Sequence, residues 1–273
     1  MKFLEEKIFK ILMYLSLGIV FAAVISIIIT IFAKGVSALS WDMIFHTGRQ
    51  GGILNAIAGS IYIVGMSTCI GLIISIPTVF YLNIFRKKDS KLGYFVRLSY
   101  DVMFGVPSIV YGILGYAVMV SLGMRSSLLG GIIVITLLIL PIFVRSMDEV
   151  AKDFPRDILD TAYSLGATRL ETIRVVLRQI VPGIATATLL SIGRAIGDAA
   201  AVMYTAGWSE MIPSSFKQKA ATLPVAVLEF YQQPFSDVQD KAYASAIILT
   251  IIVLLLSIGG RFIMNKFSKN KLQ

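Results

Sequence analysis

The chain has 273 residues, of which 56% are hydrophobic and only 15% charged, with 25 Lys and Arg residues against 16 Asp and Glu residues. A soluble domain carries roughly 25% charged residues, so most of this chain does not face water. A single cysteine and a single histidine exclude a disulfide framework and a zinc cluster.

Uncharged runs of the length that a bilayer requires predict six membrane-spanning helices. The fifth run differs from the others because Arg194 and Asp198 lie inside it, and Pro77 is expected to kink the second. The predicted fold class is all-α, a polytopic membrane protein with one transmembrane domain over residues 1–273. The six predicted spans cover residues 11–32, 60–82, 102–122, 126–144, 180–206 and 242–260.

The basic residues are distributed unequally between the two sides of these spans. Eighteen of the 25 Lys and Arg residues lie on the side of the termini and of segments 86–101 and 145–179, and six lie on the other side. Because cytoplasmic loops are enriched in Lys and Arg, both termini are predicted to be cytoplasmic. A nucleic-acid-binding surface would need a soluble basic face with interleaved aromatic residues, and the sequence has none.

The longest predicted cytoplasmic loop, residues 145–179, has a helical pattern. Asp153 and Pro155 indicate the start of a helix that ends at Gly166, a residue suited to a left-handed cap. Thr168 and Glu171 then have the spacing of a capping box that opens a second short helix. The apolar stripes of this helix pair suit either docking into another protein or lying on the membrane surface, and periodicity does not decide between them.

Arg194 and Asp198 are the strongest indication of a functional site in the sequence. Burying an ionisable residue in a membrane span costs free energy, so such a residue marks a functional site by default. A spacing of four residues places Arg194 and Asp198 on one face of the helix. One interpretation is an ion pair that fixes the fifth helix against its neighbours. The other is that Arg194 meets an anion in a translocation pathway, since guanidinium matches phosphate oxygens bidentately, while Asp198 holds the arginine in place.

Small residues on the same helix indicate close helix packing, either inside the chain or with a second subunit. Gly193 and Gly197 form such a pair beside Arg194. The sequence contains no phosphate-cradling loop, nucleophile elbow or zinc-protease motif, so an ATPase or intramembrane enzyme is not expected. A self-sufficient secondary transporter with Asp198 as proton carrier and a non-transporting scaffold remain as other classes.

The segment from Asp160 to Thr168 resembles the loop with which permease subunits of type I ABC importers seat their ATPase. Two departures are Asp160 in place of the family's glutamate and Arg178-Gln179 in place of its Leu-Pro. Further segments, in chain order, resemble more narrowly the permeases of phosphate importers. They are Leu39–Asp42, Gly51–Ile53, Gly105–Gly112, Leu140–Ile142, Arg194–Ala199 and Leu223–Val225.

This resemblance implies the MetI-like permease arrangement and a non-catalytic subunit that forms half of a phosphate pathway. The implied partners are a homologous permease, two ATP-binding subunits that hold ATP and Mg²⁺, and an extracytoplasmic phosphate-binding protein. The partner half of the same importer and a permease for another oxyanion stay open as alternatives. The implied pathway residues are Arg194 and Asp198, and the implied ATPase-coupling residues are Asp160, Thr161, Ala162, Gly166, Ala167 and Thr168.

Overall fold

The computed structural model describes residues 2–85, 90–152 and 156–268, and every regular element within these ranges is helical. The all-α prediction is therefore confirmed for the described part of the chain. The predicted helix-start signals Asp153 and Pro155 lie outside the described residues.

Eleven α-helices follow one another along the described chain, and we number them in order. The first five are α1 (Lys2–Gly35), α2 (Trp41–Phe45), α3 (Leu54–Phe80), α4 (Lys91–Gly105) and α5 (Ser108–Ser121). The others are α6 (Leu128–Lys152), α7 (Arg156–Ser164), α8 (Arg169–Ile196), α9 (Ala200–Thr205), α10 (Leu223–Tyr231) and α11 (Ser236–Ser268). A 3₁₀ turn covers Gly48–Gln50, and a π-helical turn, Tyr81–Phe85, extends α3.

Four of the six predicted spans are confirmed as long apolar helices. The stretches Glu6–Gly35, Leu54–Phe85, Leu128–Lys152 and Ser236–Phe262 are each long and apolar enough to cross a membrane. Pro77 lies inside α3, and the π-helical turn begins four residues after it. The number six itself stays a prediction, because the other two predicted spans differ from what we expected.

The third predicted span, residues 102–122, is not one helix. Helix α4 ends at Gly105 and α5 begins at Ser108, and their axes are bent by 102° at this break. The physical reason is Pro107, since a residue that precedes proline is sterically pushed out of the helical region. Val106 accordingly has the extended backbone angles φ −75° and ψ 128°.

The fifth predicted span, residues 180–206, is also divided, and its apolar helical part covers Ile180–Ile196. Helix α8 runs without a break from Arg169 to Ile196, so the predicted second loop helix is continuous with the helix that carries Arg194. Pro182 lies inside α8, as membrane helices tolerate. At the other end the helix stops before Gly197, and α9 starts only at Ala200.

Helix α6 is the centre of the bundle and packs against α3, α4, α5, α8 and α9. Its fully buried side chains recur at helical spacing, with Ile135, Ile139, Phe143 and Met147 along one face. The Phe143 ring fits against Gly71 of α3, where an added Cβ would stand 2.8 Å from the ring. In contrast, α1 packs chiefly against α11 and is exposed along its length.

At the end of the bundle opposite α7, an irregular segment closes over the helix starts; we call residues 206–222 the strap. Backbone N–H groups of Leu128 and Leu129, at the start of α6, donate to strap carbonyls of Gln218 (2.7 Å) and Phe216 (3.0 Å). The buried Asn55 amide of α3 donates to Ser209 O at 2.7 Å. The strap thus supplies acceptors to amides that have no partner within their own helix.

We predict that Gly59→Ala destabilises the bundle by about 2 kcal/mol, because the new methyl would overlap the Ala221 carbonyl oxygen of the strap. Thermal unfolding in detergent measures the effect. The matched control is Gly65→Ala in the same helix, where no atom lies within 4 Å of the added Cβ. Equal unfolding temperatures for the two variants would contradict the packing described here.

Candidate functional site

The corner between α7 and α8 has the geometry that the sequence predicts. Gly166 adopts a left-handed φ of +83° after α7. Thr168 N donates to Glu171 Oε2 at 2.8 Å, and Glu171 N donates to Thr168 Oγ1 at 3.3 Å, which completes the capping box. Thr168 N and Thr168 Oγ1 both donate to the Glu171 carboxylate at 2.8 Å, and these two hydrogen bonds lower the pKa of that carboxyl below its usual value.

The predicted coupling residues lie together on this corner, which is largely exposed. Asp160, Thr161, Gly166 and Thr168 are exposed, and Ala162 and Ala167 are partly exposed. Leu165 and Leu170 flank the turn with 83% and 71% of their surface uncovered. The predicted apolar stripe of the second helix is less open than the corner, because Val176 is buried in the bundle and Leu177 is only 36% exposed. The apolar surface open to a partner is therefore the corner rather than the flank of α8.

Arg194 and Asp198 meet at the end of α8, as their spacing predicts. Arg194 Nη2 stands 3.4 Å from Asp198 Oδ2, but the side chains are 51% and 3% exposed, respectively. Asp198 Oδ1 also accepts a hydrogen bond of 2.9 Å from Ala201 N, in the first turn of α9. The carboxylate therefore bridges the break between the two helices, while the guanidinium remains accessible.

Arg194 lines a cavity of about 470 Å³ between α4, α6 and α8. A second arginine, Arg145 of α6, lines the same cavity, together with Ser146 and Glu149. Arg145 also contacts Glu149 at 3.4 Å and Asp101 at 3.9 Å. Sequence reasoning assigned Arg145 to the loop, because it is the first charged residue after an uncharged run. The wall of the cavity thus carries two cationic side chains, Arg145 and Arg194, whereas the sequence pointed only to Arg194.

Gly193 and Gly197 do not pack against another element of the described chain. Both residues are exposed; an added Cβ at Gly193 would meet nothing within 4 Å, and one at Gly197 would meet only Gly193 O at 3.8 Å. Close packing inside the chain is therefore excluded for this pair in the described residues. A seam with a second subunit stays a prediction.

A cluster of polar side chains that the sequence did not reveal is centred on Asp148, near the α7 end of α6. The nearly buried carboxylate accepts two hydrogen bonds from Arg97 of α4, at 2.8 and 3.1 Å. It also accepts one from Asn83 in the π-helical turn at 2.7 Å, and it pairs with Lys152 at 2.6 Å. One carboxylate thereby joins three elements.

No ligand set for a metal ion exists in the part of the chain that the structure describes. No group of three or more His, Cys, Asp or Glu side chains there stands close enough to hold a cation.

We predict that Asp148→Asn lowers the free energy of unfolding by about 2 kcal/mol, because Arg97 and Lys152 lose the carboxylate that neutralises them. The value stays below that of a fully buried pair, since the Arg97 and Lys152 side chains are 25% and 48% exposed. Unfolding in detergent measures it. The control, Glu149→Gln, removes an exposed partner of Arg145 and is expected to leave stability nearly unchanged.

Comparison with known proteins assigns this arrangement to a family. The family model "Binding-protein-dependent transport system inner membrane component" matches residues 80–272. Phosphate transport system permease protein PstA of Pasteurella multocida is 33% identical over 248 residues, which cover 89% of this chain and 88% of that protein. The PstA protein of Haemophilus influenzae is 31% identical over 240 residues, covering 86% and 85%.

The fold agrees with this relationship. The MetNI methionine ABC transporter in an inward-facing conformation superposes with a TM-score of 0.64, at 18% identity, and the match covers 84% of this chain and 99% of that one. The predicted MetI-like permease arrangement is thus confirmed as a fold. The chain belongs to the family of binding-protein-dependent transport system inner membrane components, the permease subunits of ABC importers.

Proposed function

We propose that this chain is the permease subunit of an ATP-driven importer of inorganic phosphate and forms half of the translocation pathway. The observation that carries the proposal is Arg194: its guanidinium is half exposed and lines an open cavity between α4, α6 and α8, and its contact with the buried Asp198 is as long as 3.4 Å. The similarity to PstA permeases supports phosphate as the substrate. The chain is not itself an enzyme, and its ATP and Mg²⁺ are held by the partner ATPase.

The chemistry of the site favours an anion. A guanidinium presents paired N–H donors that match two oxygens of a tetrahedral oxyanion. Asp198 Oδ1 accepts a hydrogen bond from Ala201 N at the start of α9, and only Asp198 Oδ2 contacts the guanidinium of Arg194. The other N–H groups of Arg194 are therefore available to an anion. Asp198 is therefore a positioning residue that holds the α8–α9 break, and Arg194 is the group that contacts the substrate.

The proposed assembly contains a homologous permease of the PstC type, two ATP-binding subunits and an extracytoplasmic phosphate-binding protein. The excess of basic residues supports an orientation with both termini and the α7–α8 corner in the cytoplasm. The ATPase docks on the corner at Asp160, Thr161, Ala162, Gly166, Ala167 and Thr168, beside the exposed Leu165 and Leu170.

The continuity of α8 gives this docking a mechanical consequence. The helix has 28 residues, which corresponds to a length of about 42 Å, and it extends from the corner to Arg194. A displacement of the corner by the ATPases therefore moves Arg194 relative to α6, on the opposite wall of the cavity. Alternating access to the two sides follows from this relative movement.

Three alternatives stand beside the proposal. The chain could serve as the PstC-type half, or carry another oxyanion, in the same kind of assembly. A secondary transporter with Asp198 as proton carrier is less favoured, because that carboxylate is buried and engaged by Ala201 N and Arg194. Uptake by the purified complex in proteoliposomes tests the substrate and the energy source: we expect phosphate uptake that requires ATP and the binding protein and that sulfate inhibits only weakly. Uptake without ATP would support the secondary transporter.

We expect Arg194→Ala to lower phosphate uptake by about two orders of magnitude, equivalent to about 2.7 kcal/mol, because the anion loses its charged hydrogen-bond donor. Uptake into proteoliposomes at saturating binding protein measures the loss, and size-exclusion chromatography shows that the complex still assembles. Arg125→Ala is the matched control, since Arg125 lies exposed in the turn between α5 and α6. Normal uptake by Arg194→Ala would exclude the pathway role.

We expect Gly166→Pro to detach the ATPase or abolish binding-protein-stimulated ATP hydrolysis, because the fixed φ of proline is incompatible with the left-handed corner. Co-purification and ATP hydrolysis by the complex are the measurements. Gly166→Asn is the matched variant, since asparagine tolerates left-handed backbone and should retain coupling. Intact assembly with normal transport in the proline variant would contradict docking at this corner.

A further inference from the structure

Helix α4 is oriented across the bundle rather than along it. Its axis is bent by 102° from that of α5, which packs against the central helix α6. Membrane-spanning helices tilt by about 20° on average from the bilayer normal. If α5 follows the bundle across the bilayer, α4 lies close to the membrane plane.

The polar contacts of α4 fix its depth. Arg97 binds Asp148, and Asp101 faces Arg145 at 3.9 Å. Both partners belong to the last two turns of α6, after the uncharged run that ends at Val144. These ion pairs place α4 at the level where α6 leaves the hydrocarbon region, which is the polar boundary of the bilayer.

The opposite face of α4 is apolar, and no other element of the described chain covers it. Tyr94 and Phe95 are 70% and 64% exposed, and this face continues into exposed side chains of α5. Aromatic residues of this kind are enriched at the headgroup level of membranes. The exposed apolar residues of these two helices include Leu92, Tyr94, Phe95, Leu98, Val102 and Phe104 on α4, and Ile109 and Ile113 on α5.

We propose that α4 is an interfacial helix whose apolar face, Leu92 to Val102, lies in the boundary between lipid headgroups and acyl chains. The partner of this face is the lipid surface, because the face joins the exposed apolar side of α5 and lies at the level of the ionic contacts with α6. The helix anchors the end of α6 that precedes α7. This inference does not depend on which solute the pathway carries.

Depth measurements on the assembled complex test the proposal. Single cysteines at positions 92, 95, 98 and 102, in a Cys69→Ser background, receive a nitroxide label in nanodiscs of phosphatidylethanolamine and phosphatidylglycerol. Power saturation with oxygen and with a nickel chelate then gives the depth of each label. Labels at positions 109, 113 and 118 of α5 are the matched controls.

We expect the four α4 labels to share one depth within about 4 Å, near the headgroup boundary, while the α5 labels change depth by about 1.5 Å per residue. A spanning α4 would instead give a change of about 15 Å between positions 92 and 102, which would overturn the proposal. Low accessibility to both relaxants at positions 92–102 would show that another subunit covers the face, and this result would overturn it as well. Retained uptake shows that each labelled complex is folded.

Discussion

The α7 end of the bundle depends on the carboxylate of Asp148. Removing a carboxylate from water is costly unless its oxygens are paired and hydrogen-bonded, and here Arg97, Asn83 and Lys152 provide these contacts. The partners come from α4, from the π-helical turn and from α6 itself. Their relative positions are thus fixed at the point where α6 leads toward α7, and a movement of one element acts on the others through this group.

A second constraint acts through α8, which links the exposed corner with the break at Gly197. The capping box at Thr168 gives the helix a defined start, and Asp198 ties its end to α9 through Ala201 N. The strap holds the starts of α3 and α6 at the other end of the molecule. Helix α8 thus has a capped start and an end that is tied to α9, and Arg194 in its last turn borders an open cavity.

The sequence predicted the parts of this structure that depend on local signals. Uncharged runs identified four long helices, and Gly166 and the Thr168–Glu171 spacing defined the corner. The same runs concealed the breaks at Pro107 and Gly197, because hydropathy responds to side-chain polarity and not to backbone angles. The Asp148 cluster could not be found in this way, since its cross-helix partners stand 51 and 65 residues away in the chain. Asp148 was assigned to the solvent-exposed loop because it follows the end of an uncharged run, but the helix bundle buries it.

The structure also changes the interpretation of the two charges inside the fifth predicted span. A spacing of four suggested mutual neutralisation, but the pair is asymmetric: Asp198 is buried and caps α9, whereas Arg194 is half exposed. Their separation of 3.4 Å is longer than the 2.7–2.9 Å typical of strong charge-assisted hydrogen bonds. A loosely held guanidinium can exchange a carboxylate oxygen for the oxygen of a passing anion at little cost. A tightly paired one would have to break strong bonds first, so the weakness of this contact favours a pathway role over a purely structural one.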